Sequence, residues 1–241
     1  MSEAQGARWP RLRGVLFDVD GTLYDQRPLR LRMAVEWARF ALAHGPAAVE
    51  VARSIVAFRR AREELRRLGR PAARLEDLQY VEAARRAGTD EARMRAVVQE
   101  WILGRPLRHL RGCRRSGALE LFRSLRERGL AVGVVSDYPG ASKLDALGLA
   151  DHVSVTVCAT DDAVNAFKPH PAGLAHACRA WSFAAQEVLY VGDRPDVDAT
   201  AAAALGMPCV IVGHRGSASA AAGAPPYHGC SFDQLGSALF G

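Results

Sequence analysis

The chain has 241 residues, 49% apolar and 24% charged, with a formal net charge of +6. This is ordinary globular composition, sufficient for a core without covalent staples. No apolar run reaches the roughly 18 residues of a membrane span, and the start lacks a signal-peptide core, so the expectation is a soluble, cytoplasmic protein.

The segment Gly14–Asp18 (GVLFD) is a short apolar run ending in acids and Gly21, which predicts a buried strand stopping at Asp18. From Pro28 onward the period changes. Leu31, Val35, Ala38 and Leu42 recur every three to four residues, as do Val51, Ile55, Phe58 and Leu65. This spacing predicts amphipathic helices. Gly/Pro breaks divide the block into four helices over 28–44, 47–68, 74–87 and 90–103. Residues 25–111 hold 19 Arg against 11 acids. Arg carries nearly all the positive charge in the chain, because Lys143 and Lys168 are the only lysines. No reader motif or stacking pattern accompanies that charge, so a nucleic-acid partner is not expected.

Strands and helices then alternate. Helices are predicted over 117–128, 141–147, 171–181, 197–205 and 231–240. Strands are predicted over 130–136, 153–158, 187–192 and 208–212, and a loop over 215–229. Such alternation predicts an α/β fold with a parallel sheet covered by helices on both faces. The four-helix block becomes an insertion after the first strand, giving an α/β unit of residues 1–24 and 112–241 and a helical unit of residues 25–111. The five cysteines (113, 158, 178, 209 and 230) never fall in CxxC spacing, which argues against a structural zinc site and against a disulfide framework.

Chemistry-bearing residues cluster at the predicted strand ends, where open parallel sheets place ligands. Asp18 and Asp20 lie two apart on extended chain and so can face one site. One can attack while the other moves a proton. Ser136 ends the second strand and is followed by Asp137. Lys168 precedes a helix, next to Pro169, and suits a phosphate as a point charge. Asp193, Asp196 and Asp198 follow the strand ending at Gly192. Three acids within six residues repel unless a hard cation joins them.

In this order, Asp18-Val-Asp20-Gly-Thr, Ser136, Lys168-Pro and Gly-Asp193-x4-Asp198 resemble the haloacid dehalogenase superfamily of phosphohydrolases, in its phosphoglycolate phosphatase-like subgroup. The resemblance spans about Gly14 to Phe240. It implies a Rossmann-like core with a small helical-bundle cap, and Mg²⁺-dependent hydrolysis of a small phosphomonoester. It assigns Asp18 as nucleophile, Asp20 as general acid and base, and Ser136, Asp137 and Lys168 to the phosphate. Asp18, the Asp20 carbonyl and Asp193 would hold the metal, with Asp198 in support. Asp137 replaces the more usual Asn and adds negative charge there. Arg27 and Arg30 are the cap residues nearest the first motif and are candidates for a second anionic group on the substrate. The implied partner is a small phosphorylated metabolite, with neither nucleic acid nor membrane, acted on by a monomer or homodimer. A sugar-phosphate mutase resembling β-phosphoglucomutase on the same core is the alternative. A non-catalytic relative would be expected to lack a core acid or the lysine. Halide removal is disfavoured by Asp20, because no leaving oxygen would need its proton.

Overall fold

A computed structural model describes residues 9–213, 216–218 and 226–240. Among these residues seven strands form one sheet: β1 (Gly14–Phe17), β2 (Ala131–Ser136), β3 (Val155–Cys158), β4 (Val188–Gly192), β5 (Cys209–Val212), β6 (Gly216–Ala218) and β7 (Tyr227–Cys230). Their order is β3-β2-β1-β4-β5-β7-β6. All neighbours pair in parallel except β6, which runs antiparallel to β7. The chain winds outward from β1 in both directions. The crevice at the C-terminal end of β1 is therefore the switch point where such sheets bind ligands.

Strand periodicity divides the core. Val15 and Phe17 point to one face, against Leu121, Phe122 and Leu125 of α6 (Ala118–Glu127), Leu144 and Leu147 of α7 (Ala141–Leu147), and Leu235 of a C-terminal helix (Phe232–Phe240). Leu16 and Tyr190 point to the other face, against Leu174 and Ala177 of α8 (Ala172–Trp181) and Ala201 of α9 (Thr200–Ala203). The Phe17 and Phe122 rings meet at 4.8 Å and are fully buried; each such side chain contributes about 1.5–3 kcal/mol. Gly133 in β2 allows this packing, since a Cβ there would lie 2.5 Å from Val155 and 2.8 Å from both Leu16 and Trp181.

Between β1 and β2 the chain forms α1 (Gln26–His44), α2 (Pro46–Leu68), α3 (Leu75–Ala87), α4 (Glu91–Val98) and α5 (Leu107–Leu110). A π-helical turn, Gln99–Gly104, extends α4. Asp25 and Asp90 cap α1 and α4, accepting from the N–H of Arg27 at 2.9 Å and Arg93 at 2.7 Å; caps of this kind are worth about 1 kcal/mol. Entry and exit lie side by side: Asp25 N–H donates to Cys113 O (2.9 Å), and Arg115 N–H to Leu23 O (3.0 Å).

Two expectations need correction. Helix α1 exists, but Leu31, Val35 and Leu42 do not form its inner face; they are 71%, 52% and 89% exposed. Leu29, Met33, Trp37 and Phe40 face inward instead. Apolar residues occur on both sides of this helix, so spacing alone could not choose between them. The segment 215–229, expected as a loop, contributes β6 and β7 among its described residues; residues 215 and 219–225 lie outside them. Two smaller shifts involve π-helical turns: the expected helix 197–205 begins as the turn Pro195–Ala199 before α9, and the helix 90–103 changes to one after Val98. The five cysteines are free and buried. Among the described residues no helix is long and apolar enough to cross a membrane.

Candidate active site

Asp18 follows β1 directly and is 6% exposed, held in register by its N–H to Val191 O at 2.8 Å. Its Oδ1 accepts from Lys168 Nζ at 2.6 Å, and its Oδ2 from Thr22 Oγ1 at 3.3 Å. Lys168 Nζ also donates to Asp198 Oδ1 (2.6 Å) and to the Tyr190 hydroxyl (2.8 Å), which in turn donates to Asp198 Oδ1 at 3.0 Å. The other Asp198 oxygen accepts the N–H groups of Asp193 (3.1 Å) and Arg194 (3.0 Å). Asp198 thereby shapes the loop after β4 that presents Asp193. Gly21, at φ 101°, lets the chain turn beneath that acid, since a Cβ there would lie 2.2 Å from Asp193 Oδ2.

Asp18, Asp193 and Asp198 each offer an oxygen within 4.8 Å of the others. Burial, with the neighbouring carboxylates adding to it, pushes Asp18 up to about 8 against the pull of Lys168. Burial and Asp198 push Asp193 up to about 6. Both shifts record anionic charge held out of water without enough compensation. A hard, oxygen-seeking dication suits such a donor set. Both Asp198 oxygens are already engaged, which fits it to position Asp193 rather than to bind an ion directly.

Asp20 has a separate set of partners. Both of its oxygens accept from Lys143 Nζ at 2.6 Å, and Oδ1 also accepts from the Tyr24 hydroxyl. Burial opposes its ionisation, but the Lys143 charge and the hydrogen bonds from Lys143 and Tyr24 outweigh it and hold the carboxyl below its usual range. The paired burial and acid contacts push Tyr24 the opposite way, upward.

Asp18, Asp20, Asp137, Lys168, Asp193 and Asp198 line one cavity of about 730 Å³, together with Arg30, Lys143 and residues of α1, α2 and the π-helical turn. Arg30 bonds Gln26 at 2.6 Å, whereas Arg27 is exposed and does not line the cavity. Ser136, 1% exposed, is not a lining residue; its Oγ accepts from the Tyr138 N–H at 3.2 Å. Asp137 turns its charge aside. Its Oδ2 pairs with Arg66 at 2.8 Å and its Oδ1 accepts the Lys168 N–H at 3.1 Å. The negative charge that the sequence placed beside a phosphate is thus already answered by helix α2.

A family model for haloacid dehalogenase-like hydrolases matches residues 12–206. The chain belongs to the haloacid dehalogenase-like hydrolase family. Phosphoglycolate phosphatase of Yersinia pseudotuberculosis is 33% identical to this hydrolase over 208 residues, covering 84% of this chain and 82% of that protein. The phosphoglycolate phosphatase of Escherichia coli K12 is 32% identical, covering 83% and 80%. In fold, the hydrolase is similar to a 2-haloacid dehalogenase from Pseudomonas syringae pv. tomato (TM-score 0.65, 24% identity, 95% and 98% covered).

Lys143, Tyr190, Tyr24, Arg62 and Arg66 were not picked out from the sequence as site residues. For Lys143 a signal existed: it is one of only two lysines in an arginine-rich chain. Tyr190 was visible as the single hydroxyl in the strand VLYVG.

Proposed function

We propose that this hydrolase cleaves phosphomonoesters through an aspartyl phosphate on Asp18. The observation that carries the reading is Lys168 Nζ at 2.6 Å from Asp18, in a cavity that Asp20 also lines. An Asp18 oxygen attacks phosphorus and the bond to the ester oxygen breaks. Asp20 in its protonated form, the minority state beside Lys143 and Tyr24, gives its proton to that leaving oxygen. A water then attacks the acyl phosphate, and ionised Asp20, the state favoured by Lys143 and Tyr24, takes its proton. Phosphate leaves and Asp18 is restored. Lys168 offsets the repulsion between the carboxylate and the phosphoryl oxygens.

Asp18, the Asp20 carbonyl and Asp193 would hold Mg²⁺, and Asp198 would fix Asp193. When bound, the ion supplies positive charge to the transferring phosphoryl group. Residues 25–111 act as a cap over the unit formed by 1–24 and 112–241, excluding bulk water from the acyl phosphate. Arg30 is the cap cation placed to meet substrate. The names of the phosphoglycolate phosphatase relatives support a phosphorylated small molecule as substrate. Purified protein should release phosphate from an aryl phosphate only with Mg²⁺, and Asp18→Asn should stop it. Undiminished turnover in that variant would sink the nucleophile assignment.

A further inference from the structure

The cavity changes character with distance from Asp18. At its strand-end floor the cations are engaged, Lys168 with Asp18 and Asp198 and Lys143 with Asp20, and Arg66 reaches down from the α2 wall to Asp137. Arg30 of α1 and Arg59 of α2 stand between the two ends of the lining. The far end is lined by Met33, Trp37, Ile55, Trp101, Ile102 and Leu103. Five of these six remain half-buried, with only Trp101 fully enclosed.

Helical spacing gives this gradient its length. Lining residues on α1 run from Gln26 through Leu29, Arg30 and Met33 to Trp37. Those on α2 run from Arg66, nearest the floor, through Arg62 and Arg59 to Ile55. At 1.5 Å per residue, each stripe extends roughly 16 Å. The Trp37 and Trp101 rings meet there, 5.1 Å apart. A cavity of about 730 Å³ falls in the range that encloses a drug-sized ligand. A two-carbon phosphate ester would fill only its floor and leave the apolar end wet.

We propose that the ester cleaved at this site carries an extended apolar body, seated between α1 and α2 against Met33, Trp37, Ile55, Trp101, Ile102 and Leu103. This rests on the phosphatase reading and deepens it by naming the substrate class. The phosphate sits on the floor, and the leaving alcohol is a long alkyl or aryl alcohol.

The test is a series of primary n-alkyl phosphates, ethyl to decyl, beside phosphoglycolate. The basicity of the leaving alcohol hardly changes along the series, so the trend reports contacts with the body. The expected result is a rise in kcat/KM of about fourfold per added methylene over the middle of the series, the value for full apolar burial. Octyl phosphate then exceeds phosphoglycolate. A flat series, or faster turnover of phosphoglycolate, overturns the proposal. Calorimetry with the matching alkylphosphonates separates the two readings. Binding that tightens with chain length while no ester turns over rejects the phosphatase reading and keeps the apolar seat. Turnover without such tightening rejects the seat alone. Ile55→Ser should lower the octyl-to-ethyl ratio of kcat/KM at least about tenfold. The ratio is insensitive to partial loss of folded protein, and an unchanged ratio overturns the proposal.

Discussion

The floor of the cavity and its walls satisfy their polar groups differently. On the floor, Asp18, Lys168, Tyr190 and Asp198 are buried and answer one another or nearby backbone. On the walls, Arg30 and Arg59 are exposed, while Arg62 and Arg66 reach down to the carbonyls of Asp137 and Lys168. Removing one partner of a buried pair costs about 3–5 kcal/mol, whereas an exposed pair is worth about 0–1 kcal/mol. The floor therefore tolerates little change, and the walls tolerate more.

That contrast orders the expected effects. Asp18→Asn should lower kcat by at least about a thousandfold in phosphate release, as for other covalent nucleophiles. Asp20→Asn should cost about 10²–10⁴-fold, the usual worth of a positioned acid–base group, and phosphoenzyme should accumulate in rapid-quench experiments. Lys143→Met should lower kcat by roughly tenfold to a hundredfold, since it disturbs an acid–base group without deleting it. It should also move the limb of the pH–rate profile that follows Asp20 to higher pH, because Lys143 holds the Asp20 carboxyl down. An unmoved limb would detach Lys143 from Asp20 in function.

Metal affinity should follow pH in a defined direction. Protons compete with a cation for Asp18 and Asp193, which are raised to about 8 and about 6. Apparent Mg²⁺ affinity should therefore rise between those values, by about tenfold per pH unit near the lower end. Titration calorimetry in buffers of different ionisation enthalpy reads the released protons, and pH-independent binding would contradict the site. The smallest effect belongs to the wall. Arg66→Ala removes a charge-assisted hydrogen bond worth about 2 kcal/mol, so thermal unfolding should shift down by about 4–8 °C, with KM changing more than kcat. A loss of kcat as large as that from Lys143→Met would erase the distinction between floor and wall.

Much of the floor was legible because each acid follows a strand within a few residues of a glycine. Asp18, Asp20, Lys168, Asp193 and Asp198 do line one cavity. Ser136 was expected at the phosphate; its hydroxyl accepts from Tyr138 N–H, which leaves its own proton free, and strand-end position does not tell where that rotatable hydroxyl points. Lys143 meets Asp20 across 123 residues and Arg66 meets Asp137 across 71. Such pairings depend on how helices lie over the sheet, which local spacing does not carry. The inner face of α1 failed for a related reason. Leu29, Met33, Trp37 and Phe40 compete with Leu31, Val35 and Leu42 for one core, and only the neighbouring helices decide between them.

Asp137 ties floor and wall together. One of its oxygens holds the backbone of the Lys168 loop while the other holds Arg66 of helix α2. Tilting α2 away strips that carboxylate of its cation and returns an unbalanced charge to the loop that carries the lysine. Under the proposed mechanism, opening the cavity and disarming Lys168 would then be one event. An enzyme built this way would guard a phosphoryl intermediate through the same contact that shuts its chamber.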